Sequence, residues 1–227
     1  MNDASVLVIA PHPDDEVLGV GGTIARLADE GRHVTVVIVT KGSAEHFDAK
    51  LIERGRQEAR EAHCLLGVAK TVFLDLPAAR LDQIPHVTLN AALSHVVVET
   101  RPGTVFVPFR GDLHRDHQLV FDSALVAVRP TNGLMVSEIL AYETLSETNW
   151  NASRGVTAAF IPDCYVRIDK YLEKKLAGMA TYASQLHEFP HERSLGAVES
   201  LARYRGATIG TNAAEAFMTI RRVEAIS

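Results

Sequence analysis

The stretch at residues 6–22, VLVIAPHPDDEVLGVGG, limits the folds open to this chain more than any other. Val6, Leu7, Val8 and Ile9 show no polar alternation, the pattern of a strand covered on both faces within a parallel sheet. Ala10 and Pro11 end the run, and His12, Asp14, Asp15 and Glu16 follow at once. From there Val17, Val20, Ile24 and Leu27 recur at helical spacing, so the acidic cluster sits at the mouth of a helix, where the dipole favours carboxylates. One acidic residue at such a place is an ordinary N-cap, and one histidine an ordinary structural residue. Three neighbouring carboxylates repel one another, however, and a cation is the economical explanation for them.

The rest of the chain repeats the alternation. Residues 34–40 (VTVVIVT) form a second buried strand, which completes a βαβ unit with a right-handed crossover. Residues 51–66 read as a helix with Ile52, Ala59, Ala62 and Leu66 on one face, Cys64 as a small core residue and Gly67 as the stop. A strand at 71–76, a helix opened by Pro85, a strand at 104–107, a helix at 118–128 and a strand at 138–142 follow. This order predicts an α/β fold, a Rossmann-like, mostly parallel sheet flanked by helices, over residues 1–142. In residues 143–227 the regularity weakens: one or two strands at 158–168, a helix from Asp169 to about Tyr182, and another at 192–204. No linker or repeat separates this part, so it is expected to pack on the sheet as a C-terminal extension of one domain, 1–227.

Composition excludes several functions. Of the residues, 47% are hydrophobic and 22% charged, and the net charge of −5 comes with scattered Lys and Arg, leaving no electrostatic footprint for nucleic acid. The two cysteines, Cys64 and Cys164, form no CxxC pair, which argues against a disulfide framework or a thiolate metal site. No apolar run has the length of a membrane span and no leader pattern is read, so the expected location is the cytoplasm, with a homo-oligomer left open.

Two ligand-rich loops stand out. One follows the first strand; the other, PFRGDLHRDH at residues 108–117, follows the fourth. In the common doubly wound order strands one and four are neighbours, the sheet reverses between them, and ligands bind outside their carboxyl ends. Taken alone, the second loop could be a polar helix entry with Asp116 as N-cap. Together the loops offer imidazoles and carboxylates enough for a three-ligand zinc site with an open water position, and a two-His, one-carboxylate set would equally hold iron(II).

Pro11-His12-Pro13-Asp14-Asp15-Glu16 with His114-Arg115-Asp116-His117 resembles the PIG-L/LmbE family of zinc-dependent de-N-acetylases, which act on N-acetylglucosamine-type sugars. Gly21-Gly22-Thr23, Leu66-Gly67-Val68, Tyr142-Glu143, the YASQ segment at 182–185 and AEAF at 214–217 are similar too. The resemblance implies His12, Asp15 and His117 as metal ligands, Asp14 as general base, and His114 as electrophile and acid, oriented and kept protonated by Asp116. It also implies hydrolysis of the acetyl group of an amino sugar or sugar conjugate, with Zn2+ as cofactor and other divalent metals such as Fe2+ as alternatives. The chain departs from the pattern after strand two, where many members carry a substrate-contacting arginine three residues before a glutamate. Here Gly55 occupies that place before Glu58, between Arg54 and Arg56. Arg56, Arg80 and Tyr142 are the expected substrate contacts. The rival readings are a metal-dependent amidase or deacylase acting on a non-sugar or thiol conjugate, and a metal-binding protein without turnover. Gly19-Val20-Gly21-Gly22 does not match a dinucleotide-binding turn and reads as close packing. Leu172, Leu176, Met179 and Tyr182 read as a core stripe, and His187 and His191 as solvated loop residues.

Overall fold

In the computed structural model, which describes residues 5–42, 48–131, 133–151 and 157–224, the apolar run becomes β1 (Ser5–Ala10), buried along its whole length. It leads into α1 (Asp15–Asp29), β2 (His33–Lys41), α2 (Ala49–Leu66), β3 (Lys70–Pro77), α3 (His86–Thr100), β4 (Thr104–Pro108), α4 (Arg115–Ala127) and β5 (Glu138–Tyr142). The chain continues through β6 (Cys164–Arg167), α5 (Leu172–Thr181), α6 (Leu195–Ala207) and β7 (Ala214–Arg222). The seven strands form one sheet in the order β3-β2-β1-β4-β5-β7-β6.

β1 pairs in parallel with β2 on one side and β4 on the other, with Val6 beside Thr104 and Val8 beside Phe106. The topological reversal therefore falls between β1 and β4, as the doubly wound pattern requires. Successive residues of β1 serve opposite faces. Val6, Val8 and Ala10 join the core under α1, α2 and α5, whereas Leu7 and Ile9 join the core under α3 and α4. Such two-sided burial is why the strand reads as a continuous apolar run.

The C-terminal part extends the same sheet. β7 runs antiparallel between β5 and β6, a strand the sequence pattern did not predict. Two glycines of α1 allow β5 and the extension to close in: a Cβ on Gly19 would lie 2.2 Å from Tyr142 Cδ2, and one on Gly22 would lie 2.6 Å from Ile168 Cδ1. Close packing is thus the use of this glycine cluster. Tyr142, expected at a pocket rim, is instead fully buried and donates its hydroxyl to the carbonyl of Ile9 at 2.9 Å. Cys64, expected in the core, is exposed. The buried face of α2 carries Ala59, Ala62, His63 and Leu66, and position 64 falls outside it. Among the described residues no helix is long and apolar enough to cross a membrane.

Glu215 of β7 and Lys175 of α5 form a buried pair at 2.5 Å, with side chains 3% and 4% exposed. Glu215 also accepts from the amides of Gly22 at 2.9 Å and Thr23 at 2.7 Å, and Lys175 donates to the carbonyl of Leu18 at 2.7 Å. Breaking such a pair strands a charge in the interior, at a cost of about 3–5 kcal/mol. Glu215→Ala is therefore expected to lower the melting temperature by about 10 °C. A scan showing less than a few degrees would mean that the pair does not hold the C-terminal extension to α1.

Candidate active site

The turn between β1 and α1 is held in an unusual conformation. Asp14 has φ 101° and ψ −27°, on the left-handed side of the map, and its carbonyl accepts from the amides of Val17 and Leu18. Asp15 opens α1 and accepts the His12 amide at 2.9 Å. Glu16 receives the Tyr182 hydroxyl at 2.5 Å and lies 3.2 Å from His63 Nε2 through one oxygen, and accepts the Asp14 amide at 3.3 Å through the other. His63 in turn lies 2.7 Å from the Thr71 hydroxyl. Glu16 thus supports a strained turn from beneath, as such turns require.

α4 begins at Arg115, earlier than the apolar spacing suggested, so His117 belongs to its first turn and His114 is the cap, its Nδ1 accepting the Asp116 amide at 3.1 Å. His117 Nε2 lies 3.2 Å from Asp15 Oδ2, and its Nδ1 lies 2.8 Å from Asp112. His12 Nδ1 lies 3.3 Å from Asp15 Oδ2, and its Nε2 lies 3.0 Å from Asp116. Each imidazole therefore faces Asp15 with one nitrogen and a second carboxylate with the other, the arrangement that orients histidines toward a metal. Asp112 and Asp116 are themselves anchored, the first by the Thr148 hydroxyl at 2.5 Å and the second by the Ala79 amide at 2.7 Å.

One donor atom from each of His12, Asp15 and His117 falls within 4.8 Å of the others. His117 Nε2, Asp15 Oδ1 and Asp14 Oδ1 are buried without a hydrogen-bond partner, and Asp14 Oδ2 meets only the Arg193 guanidinium, 3.2 Å away. The approach of His117 Nε2 to Asp15 is close but not aligned as a hydrogen bond. Each orphaned buried group costs about 1–3 kcal/mol, so this donor set fits a divalent cation. A second group, His12, His114 and Asp116, shares His12, but there His114 Nδ1 and Asp116 Oδ2 already hold backbone amides.

The electrostatics agree. Burial pulls His117 and His12 down, yet Asp15 and Asp112 carry His117 up to about 10, and Asp116 and Asp15 carry His12 up to about 9. The pocket favours positive charge. Burial pushes the Asp14 carboxyl up to about 8, with Arg193 opposing it and Asp15 and Glu16 adding to it. Burial and the neighbouring His12 take His114 down to about 4. The Asp116 carboxylate lies 3.0 Å from His12 Nε2, its amide donates to His114 Nδ1, and its charge opposes the downward shift of His114. With Nδ1 occupied as an acceptor, His114 is a neutral imidazole whose proton sits on Nε2.

Residues 7–128 match the profile of the family described as PIG-L, GlcNAc-PI de-N-acetylase. The chain belongs to this family. It is 30% identical to the uncharacterized deacetylase YaiS of Escherichia coli strain K12, over 79% of this chain and 90% of that one. Identity to the diacetylchitobiose deacetylase of Thermococcus kodakarensis is 27%, over 92% of this chain and 80% of the relative. Among solved structures, the conserved protein TT1542 from Thermus thermophilus superposes with a TM-score of 0.79 at 27% identity, covering 98% of this chain and 97% of its own.

In this PIG-L chain a cleft of about 450 Å3 opens from His12, Asp14 and His114. Arg193, which sequence reasoning missed, lines it with Nη1 3.2 Å from Asp14 Oδ2 and Nη2 3.8 Å from Glu147. Its Nε donates to the Ser146 hydroxyl at 3.0 Å. No local signal marks an arginine just before the helix cap Ser194; only the fold shows what it meets. Of the expected substrate contacts, Arg56 lines the cleft, Arg80 does not, and Tyr142 lies in the core. His187 and His191 stack on each other, ring centroids 4.1 Å apart, away from the cleft lining.

Proposed function

We propose that the chain is a metal-dependent hydrolase that removes the acetyl group from an N-acetylated amino sugar or sugar conjugate, with His12, Asp15 and His117 holding zinc. The observation that carries this reading is Asp14, a buried carboxyl group with Oδ1 unpartnered and Oδ2 met only by Arg193, set beside the three candidate ligands at the mouth of the cleft. A divalent ion there would supply Lewis acidity and bring a water to a pKa of about 7.

The chain's own groups do the rest. Asp14 takes the proton of the attacking water as the new C–O bond forms at the acetyl carbonyl, and Arg193 fixes the direction of the carboxylate. His114 presents its Nε2–H to the carbonyl oxygen as that atom gains charge, a contribution typically worth about 3–4 kcal/mol. When the C–N bond breaks, Asp14 returns the proton to the leaving nitrogen, giving acetate and the free amine. A neutral His114 serves as hydrogen-bond donor and leaves this transfer to Asp14. The deacetylase relative from Thermococcus kodakarensis supports an amino-sugar substrate.

Acetate release from a panel of N-acetylated sugars, with and without chelator, tests the proposal. Release that chelation abolishes and zinc restores is expected. Turnover of simple acetamides or thiol conjugates in preference to every sugar would replace it with the amidase reading, and metal binding without any acetate release would leave a non-catalytic protein.

A further inference from the structure

The acetyl chemistry occupies one end of the cleft; the other end runs along α2. Leu51, Ile52, Gly55 and Arg56 stand at i, i+1, i+4 and i+5 and so share one face of the helix, and all line the cleft together with Phe73 of β3. Leu51 is 52% exposed, a large apolar surface continuous with a buried catalytic carboxylate. Arg56 brings little free charge to this arm. Its guanidinium pairs with Asp75 and lies 4.3 Å from the centroid of the Phe73 ring. Arg193 is likewise matched by Asp14 and Glu147. At Gly55 an added Cβ would meet nothing within 4 Å, so the wall is recessed there.

We infer that this arm is a subsite for an apolar alkyl or aryl group joined to the amino sugar, and that the absent side chain at Gly55 sets its width. The inference rests on the proposed deacetylation for the identity of the sugar end. Its occupant follows from continuity: a ligand with its acetamide at Asp14 and a substituent long enough to reach α2 meets Leu51, Ile52 and Phe73, surfaces that gain by losing water. Lys41 also lines the cleft, which makes a small anionic substituent the rival occupant.

The experiment compares the methyl, phenyl and carboxymethyl β-glycosides of N-acetylglucosamine, with the wild-type protein and Gly55→Gln. The phenyl glycoside is expected to exceed the methyl glycoside by about tenfold in kcat/KM, the worth of burying roughly two methylene groups, mostly through KM. Gly55→Gln fills the recess and is expected to bring the phenyl-to-methyl ratio in kcat/KM down to about one. The variant folds, since glutamine favours a helix interior over glycine and its Cβ has open space; an undiminished melting temperature checks this. Equal rates for phenyl and methyl, a preference for carboxymethyl, or a phenyl preference that survives Gly55→Gln would each overturn the inference. Calorimetric binding of the same glycosides to Asp14→Asn, with and without Gly55→Gln, separates the two failures. If no glycoside is hydrolysed, the deacetylase reading falls, and the arm still stands or falls on whether phenyl binds about tenfold tighter than methyl in a Gly55-dependent way.

Discussion

Asp14→Asn is expected to slow acetate release by a factor of about 100 to 10,000 while leaving metal content unchanged, because an amide cannot accept the water's proton. The substitution keeps the shape of the side chain. It also keeps the backbone: Asp14 sits at φ 101°, in the positive-φ half of the map that asparagine tolerates better than most residues, so the fold of the turn survives where alanine would strain it. The three candidate ligands are untouched, since His12 and His117 are oriented by Asp116 and Asp112 and Asp15 is held by the His12 amide. Arg193 keeps Glu147 as a neighbour when the Asp14 charge is gone. Initial rates with elemental analysis of the purified variant decide the matter. Activity within a few-fold of wild type would remove Asp14 from the chemistry, and a metal-free variant would make Asp14, rather than Asp15, the ligand.

Much of this was legible from residue pattern. β1, β2, β4 and β5 could be read because parallel strands covered on both faces are nearly continuous apolar runs, β3 at the sheet edge because it keeps a short apolar run though only half-buried, and the convergence of the two ligand loops followed from the switch point between β1 and β4. β7 escaped because it carries Glu215 in mid-core, and a buried carboxylate paired with a distant lysine breaks the apolar pattern that announces a strand. Tyr142 was misplaced for a different reason. Its position at the end of β5 correctly gave its height in the sheet, but not which way its side chain runs, and it turns under α1 onto Gly19. Pairings made by the fold alone were invisible: Arg193 with Asp14, Asp112 behind His117, and Tyr182 and His63 around Glu16. The HRDH motif groups His114, Asp116 and His117, yet spacing carries no information on which carboxylate meets which imidazole, and the 3.0 Å contact of Asp116 with His12 comes from the fold alone.

The contact between Asp116 and His12 makes the metal test a graded one. Asp15→Ala and His117→Ala are each expected to yield protein with essentially no bound metal and no chelator-sensitive activity, because a tetrahedral catalytic site keeps only three protein ligands and has none to spare. Asp112→Asn and Asp116→Asn remove the carboxylates behind His117 and His12 while leaving the ligands themselves, and should weaken metal affinity by about 10- to 100-fold without abolishing it. Were Asp116 instead the partner of His114, its loss would lower kcat at saturating metal and leave affinity alone. Competition against a chelator of known strength measures the affinities, and rates at saturating zinc measure what remains of the chemistry. Full metal occupancy in Asp15→Ala would sink the ligand assignment. An Asp116→Asn protein with wild-type affinity and a depressed kcat would return that carboxylate to His114, and the 3.0 Å contact with His12 would then have no part in holding the ligand.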